Sequence, residues 1–255
     1  MTPPAVVHNI CQALLAFVLL LGGQWPLPCT AQDTQTVPTF SARYDVRVNG
    51  FKLAQATFSL IKADDDTFLY QQRTHAVGVA GWFRKEEILE SSRWRLTGQG
   101  IQPLEYRYSR SGGSDDRKVQ LIFDWQAGKV ENRVAGQPWT MAIPAGTLDK
   151  LLVQIALLLE LRQGKTRFDY AVADGGRLKH FEFEVVGEET VELPNGVYRT
   201  VKLARLDDEH DRTWIWAAPA LDYLPVRFLK KKKNGLRYEI RLRGIDDHPV
   251  AGQGS

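Results

Sequence analysis

Cysteine is nearly absent from this chain. The 255-residue sequence has two cysteines, Cys11 and Cys29, and both lie among the first 31 residues. The rest of the chain therefore has no disulfide, no thiol nucleophile and no cysteine-ligated metal available to it. Burial of apolar surface has to stabilise this part, and a chain of that length can bury about 70% of its unfolded surface. One large domain is sufficient to explain it.

Basic residues are absent from the start of the chain, since no Lys or Arg precedes Arg43. The uncharged apolar run at 10–21 is too short to cross a bilayer, which takes about 20 residues. It suits the apolar region of a secretory signal, and the small residues Cys29 and Ala31 mark a cleavage site. We therefore predict a cleaved signal peptide at 1–31 and a periplasmic protein. The lack of a basic start leaves an uncleaved anchor or a misassigned start as alternatives.

Motifs for catalysis are also missing. Ser91 and Ser92 lie in no Gly-x-Ser-x-Gly elbow, and the sequence has no phosphate-binding glycine loop or zinc motif. We expect no catalytic residue, no metal and no cofactor, and we expect a protein that is not an enzyme. The net charge of +3 is mild for this length and does not by itself imply a polyanionic partner. Nucleic acid is not an expected partner outside the cytoplasm.

Two polar clusters are weighed as candidate sites. The sequence DDEHD at 207–211 has the composition of a weak, oxygen-rich cation site, but its place between two strands is typical of a solvated loop. His180 shares one strand face with Glu182 and Glu184, which predicts an exposed polar face.

Alternating apolar and polar residues run through most of the sequence. The stretch 40–48 has the period of two that is typical of a half-buried strand, and Asn49-Gly50 then predicts a hairpin turn. The same Asn-Gly signal recurs at 195–196 and 234–235. About thirteen short strands are predicted, separated by turn residues, which indicates a mainly β, antiparallel fold.

One segment breaks this alternation. In TLDKLLVQIALLLELRQG, residues 147–164, leucine and isoleucine recur at helical spacing. We predict a helix at about 147–162, with Thr147 as N-cap, Asp149 in the first turn and Gly164 just after the end. Its apolar surface is wider than one stripe, so the helix is expected to be buried on several sides or covered by an apolar ligand.

The predicted organisation is simple. A polar linker at 32–39 precedes a single β-rich domain at 40–246, and the tail at 247–255 is expected to be frayed. We find no internal repeat, and we expect a monomer.

Two stretches carry a family resemblance. The segment DRTWIWAAPALDYLPVRFLKKKKNG, 211–235, and the earlier GWFRKEEILESSRWRLTGQGIQPLEYRY, 81–108, resemble the proteobacterial envelope family catalogued as domain of unknown function 3108. The resemblance covers about 40–245. It implies a periplasmic β-rich domain, with the antiparallel sheet curved or closed into a partly open β-barrel like those that carry lipids or lipoprotein chains.

Aromatic and apolar residues supply candidate ligand contacts. Trp82 and Phe83 stand in a glycine-flanked loop, where they either fold back onto the core or cap a barrel mouth. Trp214 and Trp216 share a strand face, as core residues or as one wall of an apolar cavity. With the helix, the candidate ligand-binding residues are Trp82, Phe83, Leu152, Ile155, Leu159, Trp214 and Trp216.

The run of four lysines lies at the end of a predicted hairpin. A three-residue loop at 233–235 with Gly235 in the left-handed conformation gives one apolar strand face, whereas a two-residue loop leaves apolar residues on both faces. The lysines then project from the hairpin end, where they either discourage edge pairing or contact an anionic surface. The candidate residues for such a contact are Arg227, Lys230, Lys231, Lys232 and Lys233.

Two functions remain open on these grounds. One is a non-enzymatic binder of a lipidic or apolar ligand, held between the concave sheet and the helix. The other is an envelope assembly or scaffolding factor that acts through protein contacts and has no ligand cavity.

Overall fold

The computed structural model describes residues 36–64, 66–78, 86–112, 116–134, 137–208 and 210–246. Its strands are β1 (Phe40–Val48), β2 (Phe51–Asp64), β3 (Thr67–Ala76), β4 (Glu87–Thr97), β5 (Gly100–Ser111), β6 (Arg117–Asp124), β7 (Lys129–Val134), β8 (Gln137–Ala142), β9 (Leu148–Asp149), β10 (Arg167–Asp174), β11 (Arg177–Leu193), β12 (Gly196–Arg205), β13 (Arg212–Ala218), β14 (Leu224–Lys231) and β15 (Arg237–Asp246). The helix α1 is Val153–Arg162, and a short 3-10 turn covers Pro219–Leu221.

All fifteen strands belong to one sheet, in the order β8-β7-β6-β5-β4-β3-β2-β1-β15-β14-β13-β12-β11-β10-β9. Neighbouring strands are antiparallel except β9 and β10, which are parallel. The first and last strands pair at the middle of the sheet, while the edge strands β8 and β9 are not hydrogen-bonded to each other. The predicted mainly β fold with a large, open antiparallel sheet is confirmed.

Helix α1 occupies the inside of this curved sheet. Seven of its ten residues are buried. Ile155, Leu158 and Leu159 belong to a core cluster with side chains from β1 to β7, β10, β11 and β13 to β15, while Leu157 and Leu161 belong to a second cluster with side chains from β9 to β13. Both halves of the sheet thus pack on the same helix, which explains why its sequence is apolar nearly all round.

The helix begins later than its sequence predicts. Leu148 and Asp149 form β9, beside Val172 and Ala173 of β10, and the N-cap is Leu152. Thr147 is buried, and its hydroxyl donates to the carbonyl of Pro144 at 2.8 Å instead of capping the helix. The other end agrees with the prediction, because Arg162 is in the last turn and Gly164 follows with a φ of 77°.

Two further differences concern the strands and the ends of the chain. The strands predicted at 178–186 and 189–193 form one long strand, β11, with a bulge between Val185 and Gly187. The predicted signal peptide, the first half of the linker, the tail at 247–255, and Trp82 and Phe83 lie outside the described residues. Within the part of the chain that the structure describes, no helix is both long enough and apolar enough to cross a membrane.

The open edges of the sheet approach each other at the β10–β11 turn. A Cβ added to Gly176 would clash with Cζ2 of Trp139 on β8 and would lie 3.1 Å from Nδ2 of Asn132 on β7. Side-chain packing therefore brings this turn against β7 and β8 where no strand ladder joins them. We call this contact the seam.

Candidate functional site

Within the described residues, side chains of the protein itself pack on helix α1 inside the sheet. Leu152, Ile155 and Leu159 are each at most 2% exposed and share a core cluster with side chains such as Trp94 and Leu121. A cavity between the helix and β12 to β14 measures about 10 Å³ and is lined by Gln154, Leu157, Leu158, Leu161, Leu203, Ile215, Ala217, Tyr223 and Pro225. This is about the space of one water molecule, far less than a lipid chain needs.

The two indoles of β13 face away from the helix. Ile215 packs in the helix cluster, so Trp214 and Trp216, its neighbours in the strand, lie on the opposite face. Trp216 is 2% exposed, with Nζ of Lys202 at 5.1 Å and Cζ of Arg227 at 4.5 Å from its ring centroid. Trp216 nevertheless belongs to the same core cluster as Leu152, Ile155 and Leu159, and Trp214 packs against that cluster. Neither indole lines the cavity beside the helix.

A buried carboxylate anchors the segment before the helix. Asp149 is fully buried, and one oxygen accepts a hydrogen bond from Oγ of Ser92 on β4 at 2.6 Å. The other accepts the backbone N–H groups of Leu151 and Leu152 at 2.9 and 3.0 Å. Burial raises the pKa of Asp149 to about 6 although these hydrogen bonds lower it, and the charge of Glu90 adds to the rise.

Glu90 beside this carboxylate has its own partners. The hydroxyl of Tyr106 donates to it at 2.9 Å, and Nζ of Lys150 lies 3.2 Å from it. This polar cluster links the segment before α1 to β4 and β5. No local sequence motif predicts it. Because Ser92 and Asp149 are both fully buried, the pair is a tertiary anchor within the sheet.

The lysine hairpin has the predicted register. Phe228 pairs with Ile240 and Lys230 with Tyr238. The backbone N–H of Gly235, which has a φ of 84°, donates to the carbonyl of Lys232 at 2.9 Å. A three-residue loop therefore closes the hairpin, as the apolar pattern predicts.

The cations of this hairpin are not equivalent. Arg227 is paired with Glu239, at 2.7 Å, on the outer face beneath Trp216. Lys230 lies 2.9 Å from Asp211 and 3.5 Å from Asp208. Both residues are thus engaged within the protein.

The other three lysines project into solvent. Lys231, Lys232 and Lys233 are exposed and have no carboxylate partner within the described residues. Two of them rest on aromatic rings: Nζ of Lys231 is 5.6 Å from the ring centroid of Trp214, and Nζ of Lys232 is 5.6 Å from that of Tyr238.

Exposed apolar side chains stand on both sides of these lysines. The β1–β2 turn is tied to the hairpin, because Asn49 exchanges hydrogen bonds with Arg237 at 2.9 and 3.0 Å. The residue after this turn, Phe51, is 74% exposed. On the other side, the loop between β12 and β13 is tied by Lys230 and carries Leu206, which is 51% exposed. We call this group the rim face: Phe51, Leu206, Lys231, Lys232, Lys233 and Arg237.

The acidic clusters of the sequence have partners of their own. Asp208 accepts the backbone N–H groups of His210 and Asp211 at 3.2 and 3.0 Å, which shapes the loop, and Lys230 occupies the space where a cation would sit. Elsewhere, Nε2 of His180 lies 3.1 Å from carboxylate oxygens of both Asp169 and Glu182.

The three side chains around His180 lie close enough to share a metal ion, but all are open to solvent. The sequence did not indicate Asp169, because this residue reaches His180 only through the register of β10 and β11.

Comparison with solved structures shows the same fold elsewhere. The crystal structure of a beta-barrel-like protein of domain of unknown function DUF1849 from Brucella abortus superposes with a TM-score of 0.54, at 10% sequence identity. The match covers 82% of this chain and 98% of that one. At this identity the likeness shows the fold alone. A search of curated protein sequences gave no match.

A family model matches most of the folded part of the chain. The match spans residues 43–241, and the family is described as protein of unknown function (DUF3108). It includes both of the stretches that carry the resemblance in the sequence. The chain belongs to the DUF3108 family.

Proposed function

We propose that this protein is a non-enzymatic factor of the cell envelope that acts through contacts of its outer surface with other proteins. The filled interior is the observation that carries the proposal. Helix α1 lies where a carrier would hold its ligand, and the cavity beside it measures about 10 Å³. A carrier of acyl chains would have to expel this helix, and seven of its ten residues are buried.

The location in the envelope rests on the sequence. The apolar run at 10–21 and the lack of cysteine after residue 29 suit an exported protein that folds without disulfides. Within the described residues, no group of side chains combines a buried nucleophile with a histidine base, which is why a surface role fits better than catalysis.

Native mass spectrometry tests the filled interior. Protein released gently from the cells that make it should give the mass of the processed chain with no bound lipid, and a fluorescent fatty acid should not bind to it. A co-purifying lipid, or saturable uptake of the probe, would overturn the proposal in favour of the carrier function.

Site-specific photo-crosslinking in living cells tests the surface role. A photo-reactive amino acid on the outer face, in place of Lys202, should give discrete crosslinks to one envelope protein. The same residue in place of Leu158, inside the sheet, should give none. Equal labelling from both positions, or none from the surface, would contradict a specific protein contact.

A further inference from the structure

We propose that the rim face binds the surface of an anionic lipid bilayer, with Phe51 and Leu206 entering the headgroup layer on either side of the lysine hairpin. This contact goes beyond the proposed protein contacts, and neither depends on the other. It would hold the barrel against a membrane by one end of its sheet.

The topology places these residues together at one end of the sheet. The strands β14 and β12 end there, and β15, β13 and β2 begin there. In addition, Phe51, Val48, Tyr238 and Lys230 are paired in one row across four adjacent strands. Residues paired in this way share a face, so Phe51 stands beside the hairpin although it is far from it in sequence.

The balance of charge around the hairpin end is positive. Within the described residues, six cations lie there, Arg212, the four lysines and Arg237, against the carboxylates of Asp208 and Asp211. Another carboxylate of that loop, Asp207, is held by Arg205 at 2.5 Å. The local excess is thus positive, and it is concentrated on the three lysines without a carboxylate partner. Such clusters are attracted to anionic leaflets within a Debye length, about 8 Å at physiological salt.

The exposed apolar residues favour a membrane over an acidic protein as the partner. A phenylalanine that is 74% exposed at a turn, next to lysines, is the arrangement by which interfacial proteins combine apolar insertion with electrostatic attraction. The ammonium groups of Lys231 and Lys232 lie over the rings of Trp214 and Tyr238, and both lysines remain exposed. An acidic protein partner would explain the lysines but not the two flanking apolar residues.

Co-sedimentation with vesicles tests the proposal. The probe is the protein as the cell processes it, with vesicles of phosphatidylcholine alone or mixed with phosphatidylglycerol. The wild type should bind the mixed vesicles and release at high salt. Each lysine near the surface contributes about a fivefold gain in partitioning, so the variant K231Q/K232Q/K233Q should bind about a hundredfold more weakly.

The contribution of the apolar side chains to vesicle binding can be measured separately from that of the lysines. Phe51→Ser should weaken binding about tenfold, and this factor should stay the same at every salt concentration at which the wild type still binds, because it comes from buried apolar area. The matched controls lie at the opposite end of the sheet: R95Q/K129Q/K165Q removes the same charge from exposed positions, and Val197→Ser changes a side chain that is 68% exposed. Neither control should change binding.

Several outcomes would overturn the proposal. One is a wild type that binds neither vesicle, which would leave an acidic protein as the partner of the lysines. Another is an equal loss of binding in the control and rim variants, which would show a general effect of net charge. Binding that depends on the lysines but not on Phe51 would overturn the insertion. Melting temperatures within about 4 °C of the wild type establish that the variants fold.

Discussion

At the scale of single residues, Asp149 is the position where the structure departs most from what the sequence indicates. Its sequence position predicts a carboxylate in the first turn of a helix. In the structure it is fully buried and binds Ser92, 57 residues earlier in the chain. Local signals such as capping patterns could not reveal this partner, since only the folded sheet brings β4 to it.

The raised pKa of Asp149 predicts how stability depends on pH. The folded-state pKa of about 6 lies above the ordinary value of 3.8, so the folded protein binds this proton more tightly than the unfolded chain. The resulting stabilisation is fully present below about pH 4 and is lost as pH rises through 6. The charged carboxylate should therefore lower the free energy of unfolding by about 3 kcal/mol at pH 7.5, relative to the protonated form.

Asp149→Asn tests this, because an amide keeps an acceptor for the two backbone N–H groups but cannot ionise. Urea unfolding should show the variant close to the wild type at pH 4 and more stable than it at pH 7.5. Asp66→Asn, at an exposed position between β2 and β3, is the control and should change the free energy of unfolding by less than about 0.5 kcal/mol. Parallel curves for Asp149→Asn and the wild type would show that the carboxylate does not titrate in this range.

At the scale of elements, the lysine hairpin shows how far a sequence pattern reaches. The requirement for one apolar face selected the three-residue loop, and the pairing of Phe228 with Ile240 confirms it. The same pattern could not tell which face of β13 meets the helix. Alternation separates Ile215 from Trp214 and Trp216 in any register, but only the curvature of the sheet puts Ile215 inside.

The seam, where the β10–β11 turn packs against β7 and β8, can be tested by substituting its two glycines. Gly175 and Gly176 both have positive φ, 58° and 80°, and only the second lies against another side chain. Gly175→Ala should cost only its backbone strain, about 1 kcal/mol, because nothing lies within 4 Å of its new Cβ. Gly176→Ala should cost about 1–3 kcal/mol more, since Trp139 must move.

Thermal unfolding of the two glycine variants measures the difference. The emission of Trp139 should change in Gly176→Ala and should stay unchanged in Gly175→Ala. Equal destabilisation by both substitutions would mean that packing of the turn on β8 adds nothing to the closure of the barrel.

At the scale of the whole molecule, the sheet consists of two halves that meet at β1 and β15. Eight residue pairs join these strands, and helix α1 packs on both halves. The sequence predicts the strands and the helix but not this arrangement. The pairing of the first strand with the last depends on contacts some 200 residues apart, and each half alone would leave one side of the helix exposed.

This shared helix predicts that the two halves unfold together. Leu121 on β6 and Leu203 on β12 lie in different core clusters, and each is at most 1% exposed. Replacing either by Ala should cost about 3 kcal/mol and lower the melting temperature by about 10 °C. Calorimetry should show one transition in both variants, with equal calorimetric and van't Hoff enthalpies. Val186→Ala, at a position that is 52% exposed, should change stability by less than about 0.5 kcal/mol. A second transition in Leu203→Ala, with early hydrogen exchange confined to β10 to β13, would show that the helix does not couple the two halves.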